Sequence, residues 1–411
     1  MLFPVNKVNA LKYIPILFMI IAATSFLTAC QSTAPAGHGK KTFNRHNHAN
    51  VDTWEPGKKE AYQPPTALNL NTMPDFDDVI NELLRKRIIY IGESHDQISH
   101  HLTQLEIIKR IHAEEPNIAI GMEFFQQPFQ QHMDEYINGS IDEREFLNKT
   151  EFFSRWRIDY RHYRPIILYA REHSIPLVAL DVLEEIQRKV GKSGIDSLNA
   201  QEKKHLPDDI DRSNKKYREF LLSIYNRHPT TDSQVFDNFI DVQLVRDESM
   251  AQRTADYMDK HPDKRMIVLA GGGHLVYGYG IPQRVTRRLV KADSAIVLNG
   301  MMISPSPELA DFMLLPEPLR LPKAGRLGVI MDSAENGNVI IKAFSENSPA
   351  KVAGVQEADR FSNIDGQAIK SMSDVKYALL DKKPGDKVIL TLKRKAWMGD
   401  AKDIKVEVKL Y

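Results

Sequence analysis

Two patterns of apolar residues alternate through the middle of the chain. Short uninterrupted blocks, Ile88-Ile89-Tyr90-Ile91, Ile118-Ala119-Ile120, and the stretches 176–180 and 266–270, have the length and continuity of strands buried on both faces. Between them, Val79, Ile80, Leu83 and Leu84, and then Leu102, Leu105, Ile108 and Ile111, recur at intervals that predict amphipathic helices over 74–86 and 99–113. Helices over 165–173 and 283–289 and a closing strand over 294–298 continue the series. Repeated strand–turn–helix units predict an α/β domain, with a mostly parallel sheet and helices on both faces. The stretches 183–189, 201–225 and 236–261 read as helix with no strand between them, a helical insertion resting on the sheet. Phe129, Tyr136, Phe146, Phe152, Phe153 and Trp156 are spaced like core positions of helices.

The chemistry lies where strands stop. Gly92-Glu93-Ser94-His95, Gly121-Met122-Glu123 and Gly271-Gly272-Gly273-His274 each follow an apolar block. Ligands of open parallel sheets collect at the carboxyl ends of the strands. With the first two strands as parallel neighbours, Glu93 and Glu123 emerge on one sheet edge and require a cation, a shared proton or a polar ligand, unless Glu123 caps a segment or pairs with a base such as Arg164. Arg161, His162, Tyr163 and Arg164 sit at a helix start, placed to meet an anionic group or simply as surface charge. His100, His101 and His112 fit helix-surface positions, and His205 and His228 loop surfaces. The triple glycine before His274 permits close backbone approach but is neither a Walker loop nor a dinucleotide fingerprint.

Composition narrows the classes. The 411 residues are 42% hydrophobic and 27% charged, as in an ordinary globular protein long enough for two domains. Fifty-five Lys and Arg against 54 Asp and Glu give a net charge of +1, so there is no basic field for nucleic acid. Lys7 and Lys12 precede an apolar run ending in Leu27-Thr28-Ala29-Cys30, where Cys30 is the only cysteine. This resembles a bacterial lipoprotein signal peptide (1–29). The resemblance implies acylation of Cys30, membrane attachment by that lipid anchor only, and, with Gln31 next, the periplasmic face of the outer membrane of a Gram-negative host. Residues 30–73 are polar and rich in Pro, His, Lys and Asn, a flexible tether whose His38, His46 and His48 are solvated residues or at most weak metal chelators.

The set Ile89 to His95, Gly121-Met122-Glu123, Tyr163-Arg164-Pro165, Ala270 to His274, Tyr277 and Gly280-Ile281-Pro282 resembles the ChaN-like family of haem-binding lipoproteins over the domain 74–303. The resemblance implies non-covalent haem held between two subunits of a homodimer, with tyrosine as iron ligand and a partner's histidine nearby. Tyr277 is the implied ligand and Tyr279 the next choice, with His274, Glu93 and His95 around the cofactor and Arg164 or Arg161 on a propionate. The same Gly-Glu-x-His pattern also resembles erythromycin-esterase-like and related metal-dependent hydrolases. In that alternative Glu93, His95, Glu123 and His274 would act on water or hold a divalent metal. Whether the chain is an enzyme stays open at this point, with a non-catalytic role favoured.

Five prolines in the stretch 304–323 mark a linker. Beyond it, 324–411 resembles a small β-rich, α+β PDZ domain of the HtrA type, with strands near 329–330, 338–344 and 387–392 and a helix over 373–380. That implies capture of a protein C-terminus or an internal strand, with Leu327-Gly328-Val329 offering backbone N–H groups to the peptide. A scaffold in which this module carries the function is a further alternative, as is a module that only braces the first domain.

Overall fold

The computed structural model describes residues 69–226, 233–290, 292–300, 305–333, 338–395 and 400–411. The signal-peptide and lipidation reading at Cys30 and nearly all of the tether lie outside them, as does His228.

The α/β domain runs α1 (Phe76–Leu83), β1 (Ile88–Glu93), α2 (Ile98–Glu114), β2 (Ile118–Gln126), α3 (Gln130–Ile137), α4 (Glu143–Lys149), α5 (Phe152–Arg155), α6 (Arg164–Glu172) and β3 (Leu177–Asp181). The insertion follows as α7 (Glu184–Ser193), α8 (Ala200–Lys203), α9 (Lys215–Tyr225) and α10 (Ser233–Lys260), and β4 (Arg265–Gly271), α11 (Ile281–Arg288), β5 (Ser294–Asn299) and β6 (Phe312–Leu314) complete it. All six strands are parallel, in the order β3-β2-β4-β1-β5-β6. Alternate residues of β1 enter different cores. Ile89 and Ile91 pack with α2 and the aromatic helices, and Ile88 and Tyr90 pack with α10 and α11. This two-sided burial is why the strand sequence has no polar alternation.

Two placements differ from the sequence reading. β4 inserts between β1 and β2, so Glu93 and Glu123 share an edge but not adjacent strands. The stretch read as a linker supplies β6, whose Phe312, Met313 and Leu314 pair with Val297, Leu298 and Asn299 of β5. Its prolines flank the strand and leave that ladder free.

The C-terminal domain is a sheet ordered β12 (Lys402–Lys409), β11 (Lys387–Arg394), β9 (Arg360–Ile364), β8 (Val339–Phe344) and β7 (Val329–Ser333), with short β10 (Gln367–Ala368) on β9. The helices α12 (Pro349–Val352) and α13 (Met372–Ala378) complete it. β7 is an edge strand, and its Val329 and Met331 share a core with Val375 and Leu379 of the α13 region. Ala358 adopts φ 65°, a left-handed conformation in which a Cβ is a cost.

The other side of α13 packs on the α/β domain. Arg144 Nε and Asn148 Nδ2 donate to Asp374 Oδ1 at 2.7 and 2.9 Å. Lys376 Nζ donates to the Phe153 carbonyl at 2.9 Å, and Leu380 joins the α2-side core. Burial works to raise the Asp374 carboxyl, yet the donors Arg144 and Asn148 outweigh it and hold it at about 2.

Candidate functional site

Gly92 sets how β1 ends. A Cβ there would meet Leu298 Cδ2 at 2.6 Å and Gly272 Cα at 3.2 Å, so glycine alone lets the β1 turn fit between those of its neighbours. Glu93 follows, 3% exposed, and its Oε1 accepts from His95 Nδ1 at 2.7 Å and from the Tyr163 hydroxyl at 3.2 Å. His101 Nδ1 lies 2.7 Å from Glu93 Oε2, out of line for a hydrogen bond to it, and 3.2 Å from Gln104 Oε1. Its Nε2 lies 3.1 Å from the His95 carbonyl, so both nitrogens of this ring face acceptors. Burial by itself would raise the Glu93 carboxyl, but His101 and His95 outweigh it and hold it at about 2. For His95 burial acts in the opposite direction, and the hydrogen bond to Glu93 with the charges of Glu123 and Glu93 leaves it above its ordinary value.

Glu93 thus orients His95 through Nδ1. The Nε2 atom has no hydrogen-bond partner among the described residues. It lies beside Gly271, where a Cβ would sit 3.2 Å from it, and the His95 and Trp156 rings meet edge-to-face with centroids 5.0 Å apart. A carboxylate-oriented imidazole with a bare nitrogen can take a proton from a water or hydroxyl in the crevice.

A second buried group lies beside it, at the ends of β2, β3 and β4. Arg246, on α10, donates from Nη2 to Glu123 Oε1 at 2.6 Å and to Asp181 Oδ2 at 2.7 Å, while Nη1 lies 3.1 Å from His274 Nε2. Glu123 Oε2 accepts from the Gly271 N–H at 2.6 Å. His274 Nδ1 meets Asp247 Oδ1 at 2.6 Å, and Asp247 also accepts from the Tyr217 hydroxyl. Burial would lower His274, but Glu123 and Asp247 raise it to about 9. Glu123 is held well below the carboxylate range, burial being outweighed by His274 and Arg246, whereas for Asp181 burial prevails and raises it.

The four residues Glu93, His95, Glu123 and His274 therefore do converge at the sheet edge. The residue that answers the charge of Glu123 is Arg246, not Arg164. Arg164 pairs instead with Glu143 at 2.7 Å and with Asp381 of the C-terminal domain at 2.5 Å, and Arg161 with Asp159 at 2.6 Å, so neither meets the crevice. His100 and His101 are buried at the site rather than on a helix surface. His162 is buried beside His101, with ring centroids 5.4 Å apart, and burial and His101 push it down to about 4. The donors do not fit a metal cage: both nitrogens of His274 and both oxygens of Glu123 are engaged, and among the described residues no three His, Cys, Asp or Glu groups are arranged to hold an ion. The sequence reading leaves out Arg246 and Asp247 and places His101 on a helix surface. The local signal for Arg246 and Asp247 is the charged run Arg246-Asp247-Glu248 directly after Val242, Leu244 and Val245 in the helical insertion.

After His274 the chain turns outward. Tyr277 adopts φ 58° and ψ 5°, a left-handed conformation that costs energy in any residue with a Cβ. Its N–H is held by the Leu309 carbonyl at 2.8 Å. Its ring stacks on Tyr279 at 5.2 Å and meets Phe220 edge-on at 5.8 Å. The hydroxyl has no hydrogen-bond partner among the described residues. A surface cavity of about 440 Å³ opens on one side, lined by Tyr277, Gly278, Ile296, Pro307, Glu308, Ala310 and Asp311. A second of about 350 Å³, lined by Ser213, Asn214, Lys216, Tyr279 and Gln283, opens on the other.

The fold and these motifs match a known profile. Residues 79–285, just over half of the chain, fit the family described as haem-binding uptake, Tiki superfamily, ChaN. The chain belongs to this ChaN family. Residues 325–410 match the PDZ domain family. Among solved structures, "Cofacial heme binding to ChaN of Campylobacter jejuni" superposes with a TM-score of 0.50 at 17% identity, covering 59% of this chain and 92% of that one, a likeness of fold. The PDZ domain of a carboxy-terminal protease from Vibrio cholerae, solved with a peptide, covers 21% of this chain and 93% of its own at 20% identity and a TM-score of 0.19. Protein RETICULATA-RELATED 5, chloroplastic, of Arabidopsis thaliana is 26% identical over 242 residues, 54% of this chain, and the match spans about a third of its length (32%).

The chemistry of the outward turn is compatible with haem. Tyr277 presents a half-buried phenol without a partner, between two cavities, beside Ile296, Ala310 and Phe220. A phenolate is a hard anionic ligand for ferric iron, and apolar neighbours suit a porphyrin face. His274 does not fit as an iron ligand of the same chain, since both its nitrogens are engaged in the buried network.

Proposed function

We propose that the chain is a lipid-anchored, haem-binding protein of the bacterial envelope that captures or hands on haem, with Tyr277 as the ligand to ferric iron. The observation that carries this reading is the Tyr277 phenol, held outward in a left-handed turn with no partner of its own. Bound haem would supply a ferric centre whose open coordination position the phenolate fills, without covalent attachment to the only cysteine, Cys30. Tyr279 and Phe220 orient the phenol ring, and the engaged backbone at Leu309 keeps the turn in place. The surface position of both cavities supports a porphyrin shared between two copies of the chain, so a homodimer forms on loading. Cys30, acylated at the outer membrane, ties the protein to that surface, and the PDZ groove recruits a protein partner there.

The test is a hemin titration of the purified chain. The wild type is expected to give the charge-transfer band of a phenolate-ligated ferric haem, and Tyr277→Phe to lose it. A wild type that leaves the free hemin spectrum unchanged removes the reading.

A second reading has its own observation in the bare Nε2 of His95, oriented by Glu93 in a crevice apart from Tyr277. It is a hydrolase in which His95 is the general base, with no metal among its side-chain requirements. His95→Ala is then expected to lower hydrolysis of a responsive ester by about 10²- to 10⁴-fold. Equal turnover by wild type and variant across an ester panel leaves His95 without that role.

A further inference from the structure

The second cavity beside Tyr277 differs from the first in charge. Glu308 and Asp311 line the first, and the Asp311 carboxylate is fixed there by accepting the Ile296 N–H at 2.7 Å. Lys216 lines the second, together with the polar Ser213, Asn214 and Gln283. Lys216 makes no ion pair among the described residues. Tyr277 thus stands between an acidic concavity with apolar walls and a basic one.

Lys216 is placed by the helix that also supports Tyr277. On α9, Lys216 and Phe220 are four residues apart and share a face. Phe220 meets the Tyr277 ring edge-on, which turns that face, and Lys216 one turn before it, toward the tyrosine. The neighbouring face carries Tyr217 and Leu221 into the interior. Tyr217 donates to Asp247, which also holds His274, and Asn214 Nδ2 donates to Gln283 Oε1 at 2.6 Å, so the start of α9 is tied to both α10 and α11. The buried network is therefore also the mount of this helix.

We propose that Lys216 receives a propionate carboxylate of the porphyrin bound at Tyr277, and so fixes the in-plane orientation of the macrocycle. This rests on the haem reading. A porphyrin bound to Tyr277 carries two carboxylates on one edge and apolar substituents on the rest. Turning the carboxylates toward Glu308 and Asp311 sets like charges against each other, whereas turning them toward Lys216 pairs them and leaves the apolar edge against Ile296, Pro307 and Ala310. Lys216 is a positioning residue here, since it touches the edge of the ligand and not the iron.

The experiment titrates the purified full-length chain with hemin and with hemin dimethyl ester, which lacks the carboxylate charges, following the Soret band. Wild type is expected to prefer hemin over the ester. Lys216→Glu should weaken hemin by about ten-fold or more and leave the ester within about two-fold of wild type, while Lys216→Arg keeps the preference. Lys216 is exposed, so circular dichroism of the variants should match wild type and exclude misfolding as the cause. Equal hemin affinity in wild type and Lys216→Glu overturns the propionate assignment with the haem reading intact. A wild type that shifts the Soret band of neither porphyrin overturns both.

Discussion

Arg246→Ala is expected to destabilise the α/β domain by about 3–5 kcal/mol, the range for removing one partner of a buried ion pair. The guanidinium is 9% exposed and serves Glu123, Asp181 and His274 at once, so its loss strands two carboxylates between β2, β3 and α10. Water cannot take its place at full strength in so enclosed a position. Lysine is a poor substitute, because a single ammonium cannot reproduce the planar fork that spans Glu123 and Asp181. The deficit should also depend on pH. Without Arg246 the Asp181 carboxyl, already raised by burial, loses its main opposing charge and is pushed further above its unfolded value, while His274 still holds Glu123 down, so the folded variant keeps a proton on Asp181 that the unfolded chain has released. Its stability is then greatest at low pH and falls as pH rises through that raised value. Urea unfolding at pH 5 and pH 8 checks both statements. An unchanged midpoint, or a deficit that shrinks with pH, contradicts the account of Arg246 as the buried counter-charge.

Gly328→Val should abolish capture of peptides by the C-terminal domain. Gly328 sits at φ +71°, which costs a residue with a Cβ roughly 1–2 kcal/mol before any contact is counted. A Cβ there would also lie 2.8 Å from Ser348 Cα, 2.9 Å from Ser345 Oγ and 3.0 Å from Pro349 Cδ, so the loop must shift. The loop is otherwise held from one side only. Its Leu327 and Gly328 carbonyls accept from Ala350 and Ser345, at 3.1 and 2.9 Å, while the Leu327 and Gly328 N–H groups have no acceptor among the described residues. Those free donors, beside the open edge of β7, suit a terminal carboxylate and the strand that follows it. Anisotropy with labelled peptides, each as free acid and as C-terminal amide, measures the effect. Wild type should favour the acid, and the valine variant should bind neither. A variant that binds the acid as wild type does would show that this loop is not the carboxylate site.

Much of this architecture is legible in the amino-acid sequence. Apolar blocks marked β1, β2, β3 and β4 because strands buried on both faces leave an uninterrupted trace, and the glycines after them marked where backbones crowd. The closing strand expected over 294–298 is found at Ser294–Asn299, and the helix expected over 283–289 at Ile281–Arg288. What escaped depends on partners distant in the chain. Arg246 meets Glu123 across 123 positions, and nothing near either residue announces the other. His101 looked like a helix-surface residue because its periodicity is weak, and its burial follows from Glu93 and Tyr163 approaching it. β6 was hidden because three residues paired on one side carry too little pattern to stand out among prolines.

The contact between α13 and the α/β domain changes what the C-terminal module is to a partner. α13 shares a core with the edge strand β7, and its other side is fastened through Asp374 to Arg144 and Asn148 and through Lys376 to Phe153, with Asp381 just beyond it held by Arg164. A protein tail taken by this domain, as proposed above, would therefore not be left to wander at the end of a leash. It would be berthed at a set distance and angle from the tyrosine turn, because that separation is written in packed side chains rather than in linker length.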